Sequence, residues 1–270
     1  MDLDTRVRAE IKPFQGKVWI YAKNLETGQI YSLGGDERVR TASTIKLAIM
    51  VEALARVAEG RAKWSDEIIM RKETKQPDGG VLQELADDTR LTLRDVVNLM
   101  IVVSDNTGAN LALDFLTTDA VNARMDSLGF KNTRSLRKIG GGGESRAYSD
   151  LSNKGFGIGV STPHEMVSLM EKLERGEIVS PDASREMIAL LKRQQYHEGI
   201  GRSLNGVEMA TKPGSLDALR SDVGIIYSKR GRIAMAITCD QMPTVDWTKD
   251  NPAYHLMSRL SNILIEGLGR

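Results

Sequence analysis

The sequence predicts an α/β protein of the α+β kind: a five-stranded antiparallel sheet flanked by terminal helices, with an all-helical subdomain inserted into it. Three observations predict this. Strand-like runs joined by turn residues lie at both ends of the chain, and hairpin-linked strands pair antiparallel. From about residue 41 to 199 the apolar residues recur mainly at helical spacing. Asn251 to Leu268 is amphipathic, with Leu256, Leu260, Ile263 and Leu264 on one face that must close on a core. The division expected is 1–40 plus 200–270 for the sheet subdomain and 41–199 for the helical one.

The elements follow in order. Residues 3 to 11 suit a short helix with Leu3, Val7 and Ile11 on one face. Lys17 to Ala22 reads as a strand, Asn24 to Gly28 as a turn, and Gln29 to Leu33 as the returning strand. Gly34-Gly35 breaks the sheet. Ile45 to Ala58 is apolar nearly all round, which marks a buried helix. Thr92 suits the N-cap of a helix over Leu93 to Val103, interrupted at Ser104-Asp105-Asn106, and Thr107 suits the cap of the next, through Phe115. Gly140 to Gly143 opens an irregular stretch that runs to Thr162-Pro163. A loop that long in a compact domain is usually functional or disordered. Helices are expected over Glu165 to Arg175 and from Pro181 to about Gln195. Strands are expected over Val207 to Lys212, Val223 to Tyr227 and Ile233 to Cys239, the last two forming a hairpin around Lys229-Arg230-Gly231.

Composition narrows the function. A chain of 270 residues suffices for one domain or two intimate subdomains. A net charge of +1 offers no support for a nucleic-acid or anionic-membrane partner, and so few aromatics argue against base stacking. The single cysteine, Cys239, excludes an internal disulfide and sits in an apolar run, where it reads as a small buried residue. His164, His197 and His255 are scattered without metal-ligand spacing, so neither a zinc site nor any cofactor is expected. No stretch is long and apolar enough to span a membrane. Met1-Asp2-Leu3-Asp4 is no secretory signal, which implies either a cytoplasmic protein or a leader already removed.

The chemistry centres on Thr41-Ala42-Ser43-Thr44-Ile45-Lys46. Ser43 suits the start of the buried helix, and Lys46, three positions on, shares its face. A lysine on the first turn of a buried helix is costly unless it is paired or used. A plain reading makes Ser43 a cap and lets Lys46 reach water; Ser135-Leu136-Arg137-Lys138 has the same spacing without a buried helix after it. The functional reading makes Ser43 a nucleophile that Lys46 helps deprotonate. With no well-placed histidine, a Ser-His-Asp triad is hard to assemble. Two lysines and two serines can move the protons instead, provided burial and mutual repulsion keep one lysine neutral.

Two further motifs follow in order: Ser104-Asp105-Asn106 and Lys212-Pro213-Gly214-Ser215. Alone, the first reads as a polar helix break and Lys212 as an edge-strand guard. Together with Ser43-Thr44-Ile45-Lys46, in this order, they make the sequence resemble the class A β-lactamase and penicillin-recognising serine hydrolase family. The resemblance spans nearly the whole chain. It is supported by Leu99-Met100-Ile101 before Ser104, Ser161-Thr162-Pro163 before a helix, and Asp222-Val223-Gly224-Ile225-Ile226 after the third motif.

The resemblance implies an active site in the cleft between the subdomains and a role for each residue. Ser43 would be the acylated nucleophile and Lys46 the acceptor of its proton. Ser104 would relay a proton to the leaving nitrogen, and Asn106 would hold the substrate amide and Lys46. Lys212 would sit on the edge strand against Ser104 and the substrate carboxylate. The backbone donors of Ser43 and Ser215, with Gly214 between Pro213 and Ser215, would form the oxyanion hole.

The sequence departs from that pattern twice. Pro213 replaces the usual hydroxyl residue, with Ser215 and Arg220 as possible compensation, although an arginine on a surface turn is more often simply solvated. The long loop lacks a clear Glu-x-x-x-Asn. Glu144 is the only glutamate between Gly140 and Pro163 and stands as the candidate deacylation base; Asp150 is a weaker substitute, and Asn153 lies too far along. The expectation is a bacterial serine enzyme that opens β-lactam rings, acting on small molecules as a monomer, periplasmic or secreted by family habit. The alternatives are an ester hydrolase, a D-Ala-D-Ala peptidase, or a protein that acylates and stops.

Overall fold

The computed structural model describes residues 1–269. Its helices are α1 (Leu3–Ile11), α2 (Lys46–Ala58), α3 (Leu93–Val102), α4 (Asn106–Leu116), α5 (Thr118–Ser127), α6 (Pro163–Glu174), α7 (Pro181–Leu191) and α8 (Pro252–Leu268). Its strands are β1 (Lys17–Asn24), β2 (Ile30–Leu33), β3 (Val39–Arg40), β4 (Glu67–Met70), β5 (Thr89–Thr92), β6 (Arg134–Ser135), β7 (Gly159–Ser161), β8 (Met209–Leu216), β9 (Leu219–Ser228) and β10 (Gly231–Asp240). The chain divides into two compact units. One comprises Met1–Thr44, Thr162–Glu171 and Tyr196–Arg270; the other comprises Ile45–Ser161 and Lys172–Gln195.

The first unit is built on a five-stranded antiparallel sheet of order β2-β1-β10-β9-β8. Its centre, β10, pairs with β1 (Ile20 opposite Ile237) and with β9 (Ala234 opposite Ile225). Along β10, Ile233, Met235, Ile237 and Cys239 alternate onto one face and join Leu256, Leu260 and Leu264 of α8 and Val7 of α1 in one apolar core. Met257 and Ile265 of α8 are buried there too, whereas Ile263 is only partly covered. Asn251 caps α8 by accepting from the Ala253 N–H, and Pro252 at the first turn lacks only a donor that would go unused. Cys239 is a buried free thiol, and burial pushes it up out of its ordinary range.

The strands differ from the sequence expectation where their ends are polar. β8 runs on to Leu216 and β9 begins at Leu219, so the two form a tight hairpin with Leu216 opposite Leu219. Hydrophobic alternation gives no sign of a strand through Pro213 and Gly214, because neither residue carries a pattern. Arg220 is therefore inside a strand, not on a surface turn.

In the second unit, α2 is buried all the way from Lys46 to Ala55. It carries a second charged side chain, Glu52, held between Arg56 (2.8 Å) and Arg124 (2.9 Å). Thr92 caps α3 in a reciprocal pair with Asp95. The cap of α4 is Asp105 and not Thr107: the Asp105 carboxylate accepts from the Gly108 N–H, while the Thr107 hydroxyl accepts from the Gln76 N–H. Both are good capping types, and the helix starts two residues earlier than the apolar pattern shows. Besides its helices the segment holds two short antiparallel ladders, β4 with β5 and β6 with β7. The stretch after Gly140 is two 3-10 segments, Arg146–Ser149 and Leu151–Phe156, leading into β7.

Candidate active site

Ser43 lies in a 3-10 turn, Ala42–Ile45, that runs straight into α2. It is half-buried and makes no cap; the residue at the N-cap of α2 is Ile45. The preceding residue, Ala42, has φ 46°, a left-handed backbone that costs a non-glycine residue about 1–3 kcal/mol. Such strain is kept where the surrounding packing fixes the turn. Strand β8 lies against this turn at Gly214. A Cβ there would fall 2.8 Å from the Ser43 nitrogen and 2.8 Å from the Thr41 oxygen, so only glycine fits. The backbone N–H of Ser43 is thereby held beside the strand that carries Ser215.

Lys212 on the same strand is fully buried, and its Nζ donates to the Pro213 oxygen at 2.7 Å. Burial pulls its amine down to about 7, opposed by the carboxylate of Asp222. Asp222, also buried, is pushed up to about 7 by burial, against the pull of Lys212 and of the Ile200 N–H, which donates to one of its oxygens at 3.0 Å. Because β8 ends the sheet, the missing N–H of Pro213 does not break an inner ladder.

The second unit contributes another group of side chains. Lys46 is fully buried and its Nζ donates to the Ser104 carbonyl (2.6 Å), to Ser104 Oγ (3.3 Å) and to Asn106 Oδ1 (2.7 Å). Three acceptors offset much of what burying an ammonium costs. Ser104 has φ 54°, a second strained residue, which turns its carbonyl and hydroxyl onto one lysine. Asn106 gives its other end, Nδ2, to the Asp78 oxygen at 2.7 Å. Asp105 holds the same loop through the N–H groups of Val81 and Leu82, and a Cβ on Gly80 would stand 2.1 Å from its carboxylate. The middle residue of the Ser104-Asp105-Asn106 motif is thus the peg on which its two neighbours are set.

The other expected site residues lie differently. Ser215 Oγ is 3.0 Å from the Tyr254 hydroxyl, which engages the group that sequence reasoning offered in place of the hydroxyl lost at Pro213. Arg220 is fully buried, not solvated. It donates to the carbonyls of Leu216, Leu219 and Asp246, and its guanidinium lies 4.7 Å from the Trp247 ring and 5.4 Å from that of Tyr254. Glu144 is exposed and accepts a hydrogen bond from its own loop, at the Gly142 N–H (3.1 Å). Asp150 is exposed and bonds the Ser152 N–H, and the Asn153 amide donates to the Ala147 oxygen. Sequence reasoning missed Tyr254 and the 76–82 loop and gave Asp222 a place beside the third motif but no role; Gly79-Gly80 was the visible sign of a close approach. Among the described residues no group of His, Cys, Asp and Glu is placed to hold a metal ion, and no helix is long and apolar enough to cross a membrane.

Comparison with known proteins gives the relatives. The profile of the family described as "Beta-lactamase enzyme family" matches residues 2–268. "Beta-lactamase 3" of Bacillus cereus is 25% identical over 222 residues, which is 80% of this chain and 66% of that protein's length. The crystal structure of a beta-lactamase from Sphaerobacter thermophilus is 28% identical with a TM-score of 0.85, covering 98% of this chain and 95% of the other. A structure of PBP-A is 25% identical with a TM-score of 0.84, covering 98% and 94%. At 21% identity, a class A beta-lactamase from Mycobacterium abscessus shares the fold with a TM-score of 0.85, covering 99% of this chain and all (100%) of that one. The chain belongs to the beta-lactamase enzyme family.

Proposed function

We propose that this protein is a serine hydrolase that opens β-lactam rings through an acyl-enzyme on Ser43. The observation that carries the reading is the state of Lys46: buried completely, three residues after a half-buried serine, with its amine on Ser104 and Asn106. A core helix does not need such a lysine, and the three acceptors that hold it belong to the second motif. Ser43 Oγ attacks the lactam carbonyl while Lys46, acting as general base, takes its proton directly or through a water. The ring C–N bond then breaks, and Ser104 hands a proton to the leaving nitrogen. The backbone N–H groups of Ser43 and Ser215 receive the oxyanion, a contribution of about 10²–10³ in rate per donor. Lys212 attracts the substrate carboxylate, and Asn106 orients the amide. A water then hydrolyses the ester.

A second reading has one observation in its favour. The Glu144 carboxylate is exposed and engaged within its own loop, which is a poor setting for a base that must activate a water. On that reading the acyl-enzyme forms and persists, as in a penicillin-binding protein. The test is hydrolysis of a chromogenic cephalosporin. The protein is expected to turn it over and Ser43→Ala to lose that turnover; an unchanged rate in Ser43→Ala overturns the assignment. Rapid turnover of p-nitrophenyl esters with negligible lactam turnover would point to an esterase. We further infer a monomer acting outside the cytoplasm, which size-exclusion chromatography with light scattering and cell fractionation check.

A further inference from the structure

Trp247 is 60% exposed, yet it is not loose. Its indole N–H donates to Asp217 Oδ1 at 3.1 Å, and Asp217 lies in the turn between β8 and β9, two residues beyond Ser215. One face of the ring rests on the Arg220 guanidinium, 4.7 Å from the ring centre. That guanidinium is fixed in turn by the carbonyls of Leu216, Leu219 and Asp246 and by the ring of Tyr254. The Met242 N–H donates to the Ala218 oxygen, so the 241–251 segment meets the hairpin at Met242, Asp246 and Trp247, and the Asn251 amide donates to the Asp246 oxygen within the segment. The result is a large aromatic face, set rigidly at the end of the strand that would bind the substrate, with its outer side open. Asp217, which holds the indole, stands two positions after Ser215, in the turn that directly follows the strand. A ring already fixed in place loses little conformational freedom when something stacks on it.

We propose that Trp247 is a substrate-binding residue whose outer face stacks on an aromatic substituent of the β-lactam, with Arg220 and Asp217 as the residues that position it. The proposal rests on the β-lactam reading of the site. It predicts selectivity between substrates of one reactive nucleus: those carrying an aromatic arm bind better than the bare nucleus.

The experiment compares KM and kcat for 6-aminopenicillanic acid, which is the bare nucleus, with benzylpenicillin, which adds a phenyl ring on the amide, and with a cephalosporin bearing an aromatic arm at the opposite end. Trp247→Leu keeps an apolar side chain without the ring, and Trp247→Phe keeps a ring. The expected result is a three- to tenfold fall, about what one aromatic pair contributes, in the preference for an aromatic-armed substrate over the nucleus. The fall appears in KM with kcat little changed, occurs in Trp247→Leu, and is largely reversed in Trp247→Phe. If the preference is unchanged, or if KM for nucleus and armed substrates rises together, Trp247 only braces the hairpin and the proposal is overturned. If the unmutated protein turns over none of the three, the β-lactam reading fails first and this subsite with it.

Discussion

Lys46 and Lys212 are both fully buried, and they are buried differently. Lys46 has three oxygen acceptors from two residues; Lys212 has a carbonyl on its own strand and a neighbouring carboxylate across the ladder. On the proposed role of Lys46 as proton acceptor, Lys46→Met, which keeps most of the bulk, is expected to slow acylation by about 10²–10⁴, the usual worth of general acid–base help, as pre-steady-state kinetics would show. For Lys212 the expectation concerns pH. Burial lowers its amine to about 7, so the free enzyme loses the ammonium as pH rises through that value, and kcat/KM for a carboxylate-bearing substrate falls on the alkaline side. Asp222 favours the ammonium. Asp222→Asn is therefore expected to move that limb to lower pH, and a limb that does not move excludes the coupling. Stability follows the same titrations. Between about 7 and 10.5 the unfolded chain holds a proton that native Lys212 has released, so this residue's contribution rises with pH there. Between 3.8 and about 7 native Asp222 holds the extra proton, so its contribution falls as pH rises. The pair costs most near neutrality, where the site would be used.

The motifs were legible at the scale of elements because each one sits where an element begins or ends. Ser43 precedes α2, Ser104 to Asn106 joins α3 to α4, and Lys212 to Ser215 lies on the edge strand. The buried helix was visible in a run that is apolar nearly all round, and the five strands in their strand-like runs between turn residues. What stayed hidden was what the elements do with polar groups. The Asp105 carboxylate receives three N–H groups, from Val81, Leu82 and Gly108, and nothing in its neighbours announces a loop arriving from 23 and 24 residues upstream. Asp105→Ala leaves those buried donors unpaired. It is expected to cost about 2–4 kcal/mol, since a cap is worth about 1 and each buried donor left empty about 1–3. A shift in the urea midpoint measures it, and a shift below about 0.5 kcal/mol would mean that the loop is held by something else. Gly214 makes the complementary case. Gly214→Ala puts a methyl against the Ser43 nitrogen and is expected to reduce kcat/KM by at least the value of one oxyanion donor, about 10²-fold, with the circular dichroism spectrum kept.

Across the whole molecule, one unit takes in both ends of the chain together with Thr162–Glu171, and the other takes in Ile45–Ser161 and Lys172–Gln195. The pairing of strands from residues 17–33 with strands from 209–240 in one antiparallel sheet was readable in the strand-like runs at both ends of the chain. The deacylation step was not readable, and Glu144 is the reason. The loop lacks a clear Glu-x-x-x-Asn, and the Glu144 side chain is exposed and bonded locally. Whether the acyl-enzyme is an intermediate or an end point is therefore a property of the whole protein in reaction. Intact-mass spectrometry of the protein mixed with a penicillin, followed in time beside Ser43→Ala, tests the claim of an acyl-enzyme most directly. The expected result is an adduct of the drug's mass that maps to the peptide holding Ser43, disappears as the drug is consumed, and is absent from Ser43→Ala. An adduct that stays would keep Ser43 as nucleophile and remove hydrolysis. No adduct with intact drug, or the same adduct on Ser43→Ala, would contradict the account.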